Sequence, residues 1–148
     1  MKTLEQWFTE YSESHQNHQN QIIHKICVPL IFFSVVGLLL EIPYAVGPLR
    51  VGEIVIIGAL CWYLTLGLKA FSIMVIQLGI SYILLRALSQ QAGAVYWLIG
   101  IFVTAWIGQF IGHKIEGKKP SFFKDLQYLL IGPLWVVSPL FSRRASPK

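Results

Sequence analysis

Charge is scarce in this 148-residue chain: Asp, Glu, Lys and Arg together make up 13% of it. A soluble domain carries about 25% charged residues, so there is too little polar material here to cover a water-facing surface. Cysteine is scarcer still. Cys27 and Cys61 both lie in apolar runs, with no CxxC and no Cys/His spacing around them, so they read as small packing residues rather than a disulfide or a thiolate metal site. The chain has no GxSxG, Walker loop or GxGxxG, and Ser121 has no histidine near it in sequence, which removes the commonest acyl-transfer and nucleotide chemistries. Residues 1–21 are polar, without an apolar core or small-residue cleavage site, so the first hydrophobic segment is expected to stay in the mature protein.

Apolar residues, in contrast, make up 55% of the chain. Uncharged runs cover residues 26–40, 54–68, 70–85 and 87–113. A membrane span needs roughly 20 residues, a length the first three runs reach only with their flanks, where Lys25, Lys69 and Arg86 can snorkel. The reading is an all-α, polytopic membrane protein with a single membrane-embedded domain and four transmembrane helices at about 22–41, 51–68, 70–88 and 94–113. Helices also precede and follow the spans, interfacial or re-entrant in character. The second and third spans should form a tight hairpin near Lys69, and residues 42–48, with Pro43, Gly47 and Pro48, should form a turn. Residues 121–141 are apolar but are opened by Lys124 and Asp125 and broken by Gly132, Pro133 and Pro139. A re-entrant or interfacial helix pair is expected there rather than a fifth span.

The net charge of +5 sits at one end. Basic and acidic residues cancel through His113; after it, Lys114, Lys118, Lys119, Lys124, Arg143, Arg144 and Lys148 face only Glu116 and Asp125. Interleaved with Phe122, Phe123, Leu126 and Tyr128, this stretch suits an anionic lipid surface, and nucleic acid is not the expected partner. Basic flanks concentrate on the cytoplasmic side, so the tail, and with four spans the N-terminus too, should be cytoplasmic. The start of the first span and the end of the fourth then share one membrane face, and all four histidines lie at those ends. Compact loops and no retention tail favour a bacterial inner membrane over the endoplasmic reticulum; the oligomeric state is left open.

Glu13, Asn17, Asn20 and His24 are spaced to share one helical stripe, and a polar stripe entering a membrane requires a polar partner or a wet cavity. His15 precedes His24 by nine residues, which in one continuous helix would put them on opposite faces. For both to bind one ion, the chain must break between them or His15 must come from a separate helix. At the other end, Gly100, Thr104, Gly108 and Gly112 recur every four residues as a small-residue seam, whose plain reading is helix packing. Gln109, His113 and Glu116 follow one another at about one turn, before Gly117 and Pro120 end the helix. Each histidine alone could be an interfacial residue bonded to headgroup or water. Three or four converging imidazoles would instead make a site suited to iron or zinc, with Glu13, Glu116 and Asp125 as available carboxylates or as salt-bridge partners of nearby lysines.

Two blocks, His15-x-Asn17-x-x-Asn20-x-x-x-His24-x-x-x-x-Pro29 and Gln109-Phe-Ile-Gly112-His113-x-x-Glu116-Gly117-x-x-Pro120, the latter continuing through Asp125-Leu126 to Gly132-Pro133, carry a resemblance over about residues 5–140. The chain resembles the family of small membrane 2-hydroxy fatty acid dioxygenases, which act in fatty acid α-oxidation and phytosphingosine breakdown. The resemblance implies a non-haem Fe(II) cofactor, O2 and a 2-hydroxy fatty acid as substrates, and cleavage of C1–C2 to an acid one carbon shorter. It also implies His15, His24 and His113 as metal ligands and catalytic residues, with Asn17, Asn20, Gln109, Glu116 and Asp125 near the metal or substrate. His18 stands where the family often has proline and inherits no role. Two other readings stay open on the residues alone: a non-enzymatic membrane scaffold or small transporter with structural histidines, and a haem carrier with two axial histidines.

Overall fold

The computed structural model describes residues 1–119 and 122–141, without the side chains of residues 122, 126 and 127. Pro120, Ser121, Arg143, Arg144 and Lys148, which the sequence reading invoked, lie outside the described residues or side chains. The described chain is helical apart from one small hairpin. α1 covers Leu4–Glu13, α2 His18–Leu40, α3 Val51–Thr65, α4 Leu68–Leu88, α5 Ala94–Glu116, α6 Phe122–Gln127 and α7 Gly132–Val136, followed by a 3-10 turn at Ser138–Leu140.

α1 begins at a capping box. The Thr3 side chain accepts the Gln6 N–H while the Gln6 side chain accepts the Thr3 N–H, satisfying two donors that a helix start leaves unpaired. The expected turn at 42–48 is a two-stranded antiparallel hairpin, β1 Ala45–Val46 with β2 Leu49–Arg50, in register Ala45 to Arg50.

Three helices are long and apolar enough to cross a membrane: α2, α4 and α5. Of the four spans expected, the one at 51–68 is not among these three. The predicted span 51–68 is a helix of 15 residues, about 22 Å at 1.5 Å per residue, against a hydrocarbon core of about 30 Å. It stops at Thr65 because Gly67 takes a φ of +119°, a conformation closed to residues with a Cβ, and α4 starts directly afterwards. The first span also starts earlier than predicted, at His18, and the last runs on to Glu116.

α2 and α5 form the most extensive pair, α3 and α4 pack as the expected hairpin, and α7 tucks against α2. Phe32, Val36, Tyr63, Met74, Leu98 and Leu134 make the central core. In the segment at 122–141, where a re-entrant or interfacial helix pair is expected, the short helices α6 and α7 follow one another, and Ile131, Leu134 and Trp135 are buried. Tyr63 secures it by donating its hydroxyl to the Leu130 carbonyl at 2.7 Å. On the outside, Ile76, Ile80, Ile83, Trp97, Val103 and Ile107 are exposed. So large an apolar surface is costly in water and at home in lipid.

Candidate functional site

The polar side chains that an apolar bundle would normally expel are buried together at one end. His15, Asn20, His24, Gln109 and His113 are each 5% exposed or less. The chain does break between His15 and His24: α1 ends at Glu13, α2 begins at His18, and His15 lies in the linker. The break brings the His15 ring centre to 4.2 Å from that of His24, and His113 enters from the end of α5 at 5.2 Å from His24 and 6.2 Å from His15.

The close approach of α2 and α5 here depends on the small-residue seam. A Cβ on Gly112 would lie 2.4 Å from Asn20 Oδ1 and 3.1 Å from His24 Cε1, and one on Gly108 would lie 2.5 Å from Cys27 Sγ. Only half of the predicted seam is packed, however, because Gly100 faces open space. Beside it runs a groove of about 760 Å³ lined by Ile26, Leu30, Tyr96 and Trp97. Cys27, which packs at Gly108 in the seam, lines the same groove.

Hydrogen bonding fixes the tautomer of two of the three imidazoles. His15 Nδ1 is 2.6 Å from the Tyr11 carbonyl and His24 Nδ1 is 3.0 Å from the Asn20 carbonyl. A carbonyl can only accept, so each Nδ1 carries the proton and each Nε2 presents a lone pair. The Nε2 atoms of His15, His24 and His113 are all buried without a hydrogen-bond partner. Burial also pushes the His15 imidazole below its ordinary pKa, which favours its neutral, ligand-competent form. His113 Nε2 lies 3.2 Å from Asp125 Oδ2, a charge contact whose angles do not make a hydrogen bond.

The surrounding residues position this trio. Tyr11 stacks on His15 with ring centres 4.3 Å apart and planes 4° from parallel, and Trp135 lies 5.4 Å from the same ring. Trp135 is itself held by an indole N–H donated to Ser12 at 3.0 Å. Glu116 takes the predicted place near the site but touches no imidazole in a hydrogen bond. Its carboxylate accepts the N–H of Gln16 and of Asn17, each at 2.9 Å, and the Asn20 amide at 2.8 Å. Lys118, two residues on, donates to the Glu13 carbonyl at 2.7 Å. An anion thus sits at the start of α2 and a cation at the end of α1, the arrangement both helix dipoles favour.

The other predicted residues divide. Asn17 is the N-cap of α2, accepting from Gln19 and Asn20, so its side chain serves the helix. Asn20 is fully buried between Gly112 and Glu116. Gln109 lies deeper, in a small void with Trp106 and Asp125. The side chains of Glu13 and His18 are exposed. Sequence reasoning missed Tyr11, Tyr128 and Trp135. Tyr11 offered a signal, one helical turn before His15, whereas Trp135 offered none that separates it from an ordinary apolar residue.

Among the described residues, no group of three or more His, Cys, Asp or Glu side chains is arranged to hold a metal ion as it stands. The trio fits a metal in its chemistry: three buried imidazoles whose Nε2 atoms make no hydrogen bond, two of them oriented through backbone carbonyls in the way metal-bound histidines are, and a carboxylate beside the third.

A family model described as 2-hydroxy-palmitic acid dioxygenase Mpo1-like matches residues 1–144. The chain belongs to the Mpo1-like family. Neither curated proteins nor solved structures gave a match. The family's description names a dioxygenase and a 2-hydroxy fatty acid, and within this Mpo1-like chain the histidines of both sequence blocks meet at one buried centre.

Proposed function

We propose that this Mpo1-like chain is an Fe(II)-dependent dioxygenase that cleaves the C1–C2 bond of 2-hydroxy fatty acids, leaving an acid one carbon shorter. The observation that carries this is the meeting of three buried imidazoles, whose Nε2 atoms make no hydrogen bond, at the polar end of an apolar bundle. Ferrous iron, held by His15, His24 and His113, would supply the binding of O2 and of the hydroxy-acid head group. The chain's own contribution is positional. The Tyr11 and Asn20 carbonyls fix two imidazoles in the tautomer that offers Nε2. Tyr11 and Trp135 wall His15 and keep it from water, and Asp125 stands ready to balance charge or take a proton at His113. A cleft of about 130 Å³ beside His15 and His113 has no room for a porphyrin, which argues against the haem reading.

The reading places the substrate tail in the bilayer and the site at the cytoplasmic rim, in a bacterial inner membrane. The contact between His24, near the start of α2, and His113, near the end of α5, requires an even number of crossings between them. We therefore read α3 as a short fourth span paired with α4, which puts both termini on one side.

Purified protein loaded with iron should convert 2-hydroxypalmitate to the C15 acid only when O2 is present, as followed by mass spectrometry. Full conversion by His24→Ala and His113→Ala variants would overturn the assignment of the site, and no conversion by the iron-loaded wild type would overturn the activity.

A further inference from the structure

The cleft of about 130 Å³ next to the imidazoles is lined by the buried His15 and His113 and by the exposed Lys118, Lys119 and Lys124. One water occupies about 30 Å³ in the liquid, so this volume suits a carboxylate and its neighbouring hydroxyl but not an alkyl chain. A second, smaller void adjoins it. Tyr11, Asp125 and Tyr128 line both, and the second is otherwise bounded mainly by the apolar Val28, Ile31, Trp106 and Leu129. That void is about 20 Å³, less than one water occupies in the liquid, so the cleft beside the histidines is the part open to a ligand.

Two of the lysines lining the cleft, Lys118 and Lys119, stand beside one carboxylate, Asp125, whose Oδ2 lies 3.2 Å from His113 Nε2. Lys118 uses one donor on the Glu13 carbonyl, and an ammonium has two more. Resting on the function proposed above, we infer that this cleft is the head-group subsite. Lys119, with Lys118, holds the carboxylate of a long-chain 2-hydroxy acid, and the tail leaves the cleft for the bilayer.

The test uses detergent-solubilised, iron-loaded protein. Lys119→Glu should raise KM for 2-hydroxypalmitate at least about fivefold, with kcat and thermal midpoint little changed and no change for its uncharged methyl ester. Retention of radiolabelled 2-hydroxypalmitate without O2 gives a readout independent of turnover. If the wild type retains it and Lys119→Glu does not, the subsite stands even where no shorter acid forms. If KM and retention are unaltered in Lys119→Glu, the subsite is wrong while the reaction can still hold. Displacement by phosphatidylglycerol as effective as by unlabelled acid would also overturn it, since the lysines would then read any anionic lipid.

Discussion

Glu116, the last residue of α5, accepts the backbone N–H of Asn17, the N-cap of α2, at 2.9 Å across 99 positions of sequence. With the Gln16 N–H and the Asn20 amide on the same carboxylate, this bond holds the linker that carries His15 against the helix that carries His113. Glu116→Ala leaves those three donors without their acceptor and frees the linker. Losing interactions that orient metal-bound groups costs about 10- to 100-fold in metal affinity or activity, so iron retention should fall by that order, with a smaller loss in Glu116→Gln. Iron analysis after dialysis, beside activity, measures it.

The Gly112 contact makes a paired prediction. Gly112→Ala drives a Cβ into Asn20 and His24, and overpacking of this kind costs about 1–3 kcal/mol. Gly100→Ala places its Cβ in open space and should be close to neutral. Thermal unfolding in detergent should separate the two, and equal midpoints would show that the seam is not tight at the histidines.

Single alanine substitutions at His15, His24 and His113 should each abolish stoichiometric iron binding, while His18→Ala, at an exposed position, should keep it. Iron per chain by elemental analysis is the measurement. Full loading of any of the first three would remove that residue from the ligand set.

Tyr63→Phe removes the hydroxyl that serves the Leu130 carbonyl. An orphaned buried acceptor costs about 1–3 kcal/mol, so the thermal midpoint should fall. Because the same segment leads to Trp135 against His15, activity should fall with it.

Reporter fusions at the N- and C-termini should fall on the same side of the membrane. Opposite sides would contradict the pairing of α3 with α4 as spans.

The helices, the hairpin near Lys69, the small-residue seam and the two polar blocks were legible in the sequence, because periodicity, breakers and caps act over a few residues. Local spacing could even state the condition for a shared site, that the chain break between His15 and His24. Only the tertiary structure decided that it does so at residues 14–17, since that break is held by Glu116 and Lys118 from a helix about 100 positions away. Distant packing likewise supplied Tyr128 and Trp135 as walls around Tyr11 and His15. The second predicted span is shortened to 15 residues by a local cause, the backbone turn at Gly67, which outweighs the apolar run continuing past it. Sequence by itself determined which residues are too polar for the bilayer and must find partners; three-dimensional packing determined which partners they find.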